Sequence, residues 1–222
     1  MQMRPFTYEM PKSMITINDI PILEHLLALL RDHNINKVAI LTGHLGEKIE
    51  SYFGDGTKFG IKIIYYKEKK PQGTAGALRK VKKFVGHNPF FVINGDILTR
   101  ADLTKMSEFY QTNSYKNLMA VTSVADPSVY GAVKLSGMQI MDFQEKPEPL
   151  PSVSRLINAG IYIFSPSIFK LIPEGGKSLL EKDVIPQLID SGNLSGFNFH
   201  DIWFDISTPE SYERALKEWK NA

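Results

Sequence analysis

The run Pro71-Gln72-Gly73-Thr74-Ala75-Gly76-Ala77-Leu78 has the residue types of an anion or nucleotide cradle. Its glycines let the backbone turn tightly, and the Ala/Leu stretch that follows starts a helix whose first N–H groups face an acceptor. Two carboxylates stand in comparable places. Asp96, in Asn94-Gly95-Asp96, closes the apolar run Phe90-Phe91-Val92-Ile93, at the carboxyl end of a strand, where open α/β sheets bind their ligands. Asp205, in Trp203-Phe204-Asp205-Ile206-Ser207-Thr208-Pro209, follows an aromatic strand and precedes a helix. If the two converge they suit Mg²⁺, which takes one or two carboxylates and completes its shell with phosphate oxygens and water. The plainer readings are a turn residue for Asp96 and a helix cap for Asp205. The five histidines, at 25, 33, 44, 87 and 200, have no metal-ligand spacing.

The elements that must position these residues follow from the apolar pattern. Lys37 to Thr42, Ile61 to Tyr66 and Phe90 to Ile93 read as short buried strands. Helices are expected between them, at Leu23 to Arg31, Leu45 to Tyr52 and Thr74 to Phe84. This alternation predicts an α/β fold with a mostly parallel sheet covered on both faces. Beyond residue 114 strands come in quicker succession, at 118–123, 131–135, 139–143 and 157–164, with Ser136-Gly137 as a hairpin turn. Pro147-Glu148-Pro149-Leu150-Pro151 reads as a stiff loop. Ser178 to Ser191 is expected as a helix broken near Pro186, and Pro209 to Lys220 as a terminal helix.

Composition narrows the function classes. The chain has 222 residues, 43% hydrophobic, with a net charge of +2 and no cysteine. That is enough chain for one sizeable core, so a single domain is expected over 1–222. Disulfides and thiolate metal sites are excluded. No long block of like charge supports a nucleic-acid or membrane-surface footprint, and no apolar leader stands at the start, so a cytoplasmic location is expected.

Four segments in fixed order, the glycine-rich run, Asn94-Gly95-Asp96, Glu145-Lys146-Pro147 and Asn158-Ala159-Gly160-Ile161-Tyr162, resemble those of the sugar-phosphate nucleotidylyltransferases. These enzymes join a sugar 1-phosphate to a nucleoside triphosphate, releasing pyrophosphate. The resemblance runs from Met3 to the terminal helix and implies a Rossmann-like nucleotidyltransferase fold, a mixed, mostly parallel sheet flanked by helices. It implies a nucleotide-binding half at 1–114, a sugar-phosphate half at 115–222 and no C-terminal β-helix domain. Lys12, in Arg4-Pro5-Phe6-Thr7-Tyr8-Glu9-Met10-Pro11-Lys12, falls at the family's phosphate-contacting lysine. Asp96 and Asp205 fall at its Mg²⁺ positions, so Lys12, Asp96 and Asp205 are the expected catalytic set. Arg4, Glu68, Gly73, Thr74 and Gly95 fall at nucleotide positions, and Gly131, Glu145, Lys146, Asn158 and Gly160 at sugar-phosphate positions. Glu68 accepts hydrogen bonds only, which leans the base to guanine, with UTP, dTTP and CTP open. A charged strand end among Lys67, Lys69 and Lys70 is the competing reading of Glu68. Mannose or glucose 1-phosphate are the implied acceptors.

The sequence departs from the family at its start. The usual opening strand and its glycine-rich loop, G-G-x-G-T-R-[LM]-x-P, have no counterpart before Arg4, and Gln2 stands where the arginine is expected. The fold is therefore expected to be N-terminally truncated. Three explanations stay open: a shortened active enzyme, a catalytically impaired paralogue acting as a sugar-nucleotide-binding regulatory subunit, or a homo-oligomer or partner chain that supplies the missing strand.

Overall fold

The computed structural model describes residues 9–148 and 154–219. Arg4 and most of the proline loop lie outside them. In chain order the strands are β1 Thr16–Ile17, β2 Ile20–Pro21, β3 Lys37–Thr42, β4 Lys62–Lys67, β5 Phe90–Ile93, β6 Ile97–Thr99, β7 Asn117–Ser123, β8 Gly131–Ser136, β9 Gln139–Glu145, β10 Leu156–Phe164, β11 Ser195–Asn198 and β12 Trp203–Asp205. The α-helices are α1 Ile22–Asp32, α2 Gly46–Phe53, α3 Gly73–Leu78, α4 Lys82–Val85, α5 Leu103–Thr112, α6 Ile185–Asp190 and α7 Pro209–Glu218. The chain divides into two compact units: described residues up to Lys70 with Asn94–Leu103 and those from Asp201 on, and Pro71–Ile93 with Thr104–His200.

In the first unit, α1 buries Ile22, Leu23, Leu26, Leu27 and Leu30, the spacing of one helical face. β3 and β4 pair in parallel from Lys37↔Lys62 to Thr42↔Lys67, which requires the crossover that α2 supplies. β1 and β2 form a two-residue hairpin whose turn residues Asn18 and Asp19 both have positive φ, 52° and 63°. That is the geometry of a type I′ turn, and short polar side chains tolerate it best. β6 and β12 pair antiparallel with Asp205 opposite Ile97. Around them Ile15, Ile17, Ile22, Leu98, Phe204, Ile206, Ala215 and Trp219 make one buried cluster. Each large apolar side chain buried there contributes about 1.5–3 kcal/mol relative to exposure.

The second unit is built on the sheet β5-β10-β7-β11-β9-β8, in which β8 also touches β10 at Ala132↔Ile157. β10 lies between β5 and β7 and is buried from Ala159 to Phe164, as its nearly continuous apolar sequence requires. The β8–β9 hairpin turns at Gly137, φ 57°, where the Ser136-Gly137 pair is expected to turn it.

The α/β class agrees with the sequence. Among the described residues parallel pairing is confined to β3–β4 and β7–β11, and the other ladders are antiparallel. A strand buried on both faces reads the same in sequence whichever way its neighbour runs. The helix expected over 74–84 is interrupted by a 3₁₀ turn, Arg79–Val81. The helix expected from Ser178 begins instead as a π turn, Leu180–Val184, and becomes α-helical at Ile185, with Pro186 in its first turn, where its missing N–H costs nothing.

Candidate functional site

In the first unit Lys12 pairs with Asp96, and Asp205 stands at the end of β12, on the strand paired with β6 just beyond Asp96. Pro11 is extended, and Lys12–Met14 forms one 3₁₀ turn closed by Met14 N–H to Pro11 O at 2.9 Å. The following Ile15 is buried in the cluster described above, so the lysine stem is fixed at its root. Asp96 immediately precedes β6, whose Ile97 and Leu98 are buried. Ile206 N–H donates to the Asp96 carbonyl at 3.0 Å, which ties the Asp96 backbone to the end of β12 beside Asp205. The Lys12 ammonium stands 3.4 Å from Asp96 Oδ2. The cap of α7 is Thr208, whose hydroxyl accepts from Ser211 N–H in a capping box. Capping is therefore not the role of Asp205. Gly95 is exposed next to Asp96, and Glu68 sits just past β4 with its N–H on Thr42 O at 2.8 Å.

In the second unit Glu145 ends β9 opposite Gly131 at the start of β8. A Cβ on Gly131 would lie 2.4 Å from the tip of the Phe143 ring and 3.3 Å from Glu145 Oε2, so a larger residue there requires the ring to move. Lys146, φ 49°, leaves the strand with its N–H on Tyr130 O at 2.9 Å. Asn158 donates to the Tyr162 hydroxyl at 2.6 Å and accepts from Gly160 N–H at 2.9 Å. Gly160, φ 70°, lies in the β10 irregularity between Asn158 and Tyr162. One amide hydrogen and one lone pair of Asn158 remain for a ligand. Glu145 has its carboxyl pKa raised, first by burial and then by the Glu181 carboxylate, with Lys146 and Lys182 opposing. The fully buried Tyr162 phenol is pushed well above the ordinary tyrosine range, chiefly by desolvation.

The glycine-rich run has a partner that its sequence does not announce. Ala75 and Gly76 N–H donate to Ser178 O at 3.1 and 3.0 Å, and Ser178 N–H donates back to Gln72 O at 2.8 Å. Those two amides thus cap α3 on protein rather than facing an anion. Gly73 has φ 78°, and a Cβ there would meet Ser178 O at 2.3 Å. Thr74 Oγ1 accepts from Leu180 N–H at 2.8 Å and donates to Glu181 Oε2 at 2.9 Å. Sequence reasoning left Glu181 out, because an acid at the start of an expected helix reads as a first-turn charge.

Asp96 and Asp205 are of the residue type that a divalent cation completed by substrate would require. Two carboxylates on paired strand ends suit Mg²⁺, and among the described residues no group of three or more His, Cys, Asp or Glu side chains forms a closed protein cage. Among the described residues no helix is long and apolar enough to cross a membrane.

The α/β scaffold has known relatives. The profile of the family described as nucleotidyl transferase matches residues 1–221, and the chain belongs to that family. It is 36% identical to the UTP–glucose-1-phosphate uridylyltransferase of Synechocystis sp. over 97% of this chain and 60% of that protein. It is 32% identical to the mannose-1-phosphate guanylyltransferase of Mycobacterium tuberculosis, over 96% of this chain and 60% of that one. The chain thus spans about 60% of the length of these curated relatives. Among solved structures, a Bacillus anthracis protein provisionally identified as a glucose-1-phosphate thymidylyltransferase matches with a TM-score of 0.88 at 25% identity, covering 97% of this chain and 89% of that one.

Proposed function

We propose that this chain transfers a nucleotidyl group from a nucleoside triphosphate to a sugar 1-phosphate, giving an NDP-sugar and pyrophosphate. The observation that carries the reading is the Lys12–Asp96 pair at 3.4 Å with Asp205 on the adjoining strand. The names of the Synechocystis and Mycobacterium relatives support the same reaction class. In it, a phosphate oxygen of the sugar 1-phosphate attacks the α-phosphorus. A new P–O bond forms there while the bond to the β-phosphate oxygen breaks, and pyrophosphate leaves with the electron pair.

Negative charge accumulates on the phosphoryl oxygens, and the chain's own groups answer it. Lys12 neutralises phosphate oxygens and Arg4, Glu68 and Gly95 hold the nucleotide, whereas Gly73 and Thr74, docked on Ser178, Leu180 and Glu181, leave the expected nucleotide set. Asp96 and Asp205 would hold Mg²⁺, which when bound shields that charge and orients the oxygens for in-line displacement. Glu145 and Asn158 accept from sugar hydroxyls, Lys146 meets the sugar phosphate, and Gly131 and Gly160 let the backbone come close. Mannose and glucose 1-phosphate are the proposed acceptors. Guanine is the first base to test, because Glu68 suits a donor-rich edge, and uracil, named for the Synechocystis relative, is its competitor.

The test is Mg²⁺-dependent pyrophosphate release across four nucleoside triphosphates and a panel of sugar 1-phosphates, with Asp96→Asn as control. Turnover with one base and one sugar, lost in the variant, is the expected result. A folded wild-type chain that binds neither substrate class overturns the reading.

A further inference from the structure

Asn94-Gly95 carries a chemistry that the carboxylates and the lysine beside it do not use. An asparagine side chain is an amide within reach of the next residue's backbone nitrogen, and asparagine is a thermolabile residue in consequence. Attack closes a five-membered ring, and the Cβ of the following residue is the usual obstacle. Glycine has none, and Asn94 is the one asparagine of the chain that glycine follows.

The fold separates Asn94 from the residues that could compete with it. Asn113 precedes the small Ser114, but its amide donates to Phe109 O at 2.9 Å and Ser114 N–H donates to Gln111 O at 3.2 Å. Electrophile and nucleophile are both held there. Asn18 is tied to Trp219 O and Asn193 to the Ser191 hydroxyl, each at 2.9 Å. In Asp55-Gly56, Thr57 N–H donates to Asp55 Oδ1 at 3.0 Å and holds that carboxyl below its ordinary range, in the ionised form that resists attack. Among the described residues no hydrogen bond engages the Asn94 carboxamide or the Gly95 N–H, and the bond at this turn is Ile97 N–H on the Asn94 carbonyl at 3.4 Å. Gly95 is exposed, and a Cβ built on it would have open space, its nearest neighbour being Ser13 at 3.8 Å.

We propose that Asn94-Gly95 is a self-modification site. Hydroxide takes the Gly95 amide proton and the nitrogen attacks Asn94 Cγ. The N–Cγ bond forms as the Cγ–Nδ2 bond breaks, and Nδ2 leaves as ammonia with a proton from water. Water then opens the cyclic imide: cleavage at Cγ leaves aspartate, and cleavage at the main-chain carbonyl leaves isoaspartate. Either product adds a negative charge two residues from Asp96, beside the Lys12 ammonium, where it repels phosphate oxygens. Isoaspartate also lengthens the main chain by one C–C bond, about 1.5 Å, directly ahead of the Asp96 carbonyl that Ile206 N–H anchors. The modified chain therefore loses its phosphoryl chemistry. That consequence, unlike the modification itself, rests on the function proposed above.

The experiment is peptide mapping by mass spectrometry of the folded full chain, aged at mildly acidic and at mildly alkaline pH, with isoaspartyl methyltransferase labelling to mark isoaspartate. Mg²⁺-dependent pyrophosphate release is measured on the same samples. Asn94 is expected to convert ahead of Asn113 and the other asparagines, faster at alkaline pH, and into both products. In urea the lead over Asn113 should narrow, because the bonds that hold Asn113 are gone. Turnover of the wild type should fall in step with the fraction of intact Asn94, while Asn94→Gln keeps its own starting rate over the same time. Asn94 intact after Asn113 has converted overturns the modification, and a lead that urea leaves unchanged overturns its selection by the fold. Full conversion with turnover unchanged overturns the consequence. A fresh chain without turnover on any substrate pair overturns the proposed function and the consequence together, and the mapping still decides the modification.

Discussion

The Lys12 ammonium and the Asp96 carboxylate face each other at 3.4 Å, with 27% and 30% of their side chains exposed. The pair is near enough to attract and open enough for a phosphate or a cation to come between. A purely structural ion pair gains by closing its contact and satisfying further lone pairs, and this one does neither. Asp96→Asn keeps the shape and the backbone bond from Ile206 but removes the charge that would hold Mg²⁺. It is expected to fold normally and to lose turnover by several powers of ten. Lys12→Met should cost about 10²–10³ in kcat, the range for one charge-stabilising donor. Steady-state pyrophosphate release with thermal melts as the folding control decides it. Near-wild-type activity in either variant would remove that residue from the catalytic set.

Gly73 tests whether the junction between the glycine-rich turn and Ser178 is a structural joint. Alanine there would need φ near 78° and would place its Cβ 2.3 Å from a backbone oxygen, so neither rotation nor a flexible neighbour relieves it. Gly73→Ala is expected to destabilise the protein by about 1–3 kcal/mol. Gly175→Ala, where nothing lies within 4 Å, should change stability little. Denaturant unfolding of the two variants makes the comparison, and equal midpoints would mean the joint yields at no cost.

What the sequence made legible was whatever a local pattern encodes. β3 and β5 stand where their apolar runs predict, residue for residue, and β7 to β10 within one or two residues of expectation, because unbroken apolar stretches bounded by turn residues have few other solutions. Lys12 and Asp96 could be singled out as candidates because their motifs are contiguous, but that they stand 3.4 Å apart was not legible in the sequence. The β6–β12 pairing, three residues matched to three across about a hundred positions, has no local signal at all. The Asn18-Asp19 turn joins strands of two residues each, too short to show alternation. Glu181 was hidden for a third reason: its hydrogen bond to Thr74 spans 107 positions, and only the fold reveals that the glycine-rich turn is its neighbour. The break at Arg79–Val81 follows from the same docking, as Arg79 reaches the carbonyls of Pro173 and Gly176 and propensity alone would have continued the helix.

Tyr162 is fully buried, and its hydroxyl takes the Asn158 amide at 2.6 Å. Tyr162→Phe removes the acceptor and leaves that amide hydrogen without its partner in a half-buried place. A loss of about 1–3 kcal/mol in stability is expected, the cost of an unsatisfied polar group. Asn158 would then be free to rotate, so sugar 1-phosphate binding should weaken while nucleotide binding holds. Chemical denaturation and calorimetry separate the two effects. A variant as stable as wild type would mean that Asn158 has found another acceptor.

Glu145 gives the protein a pH dependence whose sign can be stated. Its folded-state pKa is raised, by burial first and Glu181 next, against Lys146 and Lys182. The folded state therefore binds this proton more tightly than the unfolded chain does. The stability that follows is fully present below the ordinary glutamate pKa and is lost as the pH rises through the raised value. At neutral pH the ionised side chain is therefore a burden to the ligand-free protein. Glu145→Gln should accordingly melt higher than wild type at pH 7, by on the order of 1 °C given the solvent around the group, and the two curves should meet near pH 4. Sugar 1-phosphate should reverse the order by stabilising wild type and not the variant. Thermal melts from pH 4 to 8, with and without sugar 1-phosphate, test both statements. A Glu145→Gln protein less stable than wild type at pH 7 without ligand would mean that the carboxylate is satisfied within the fold and not held open for a substrate.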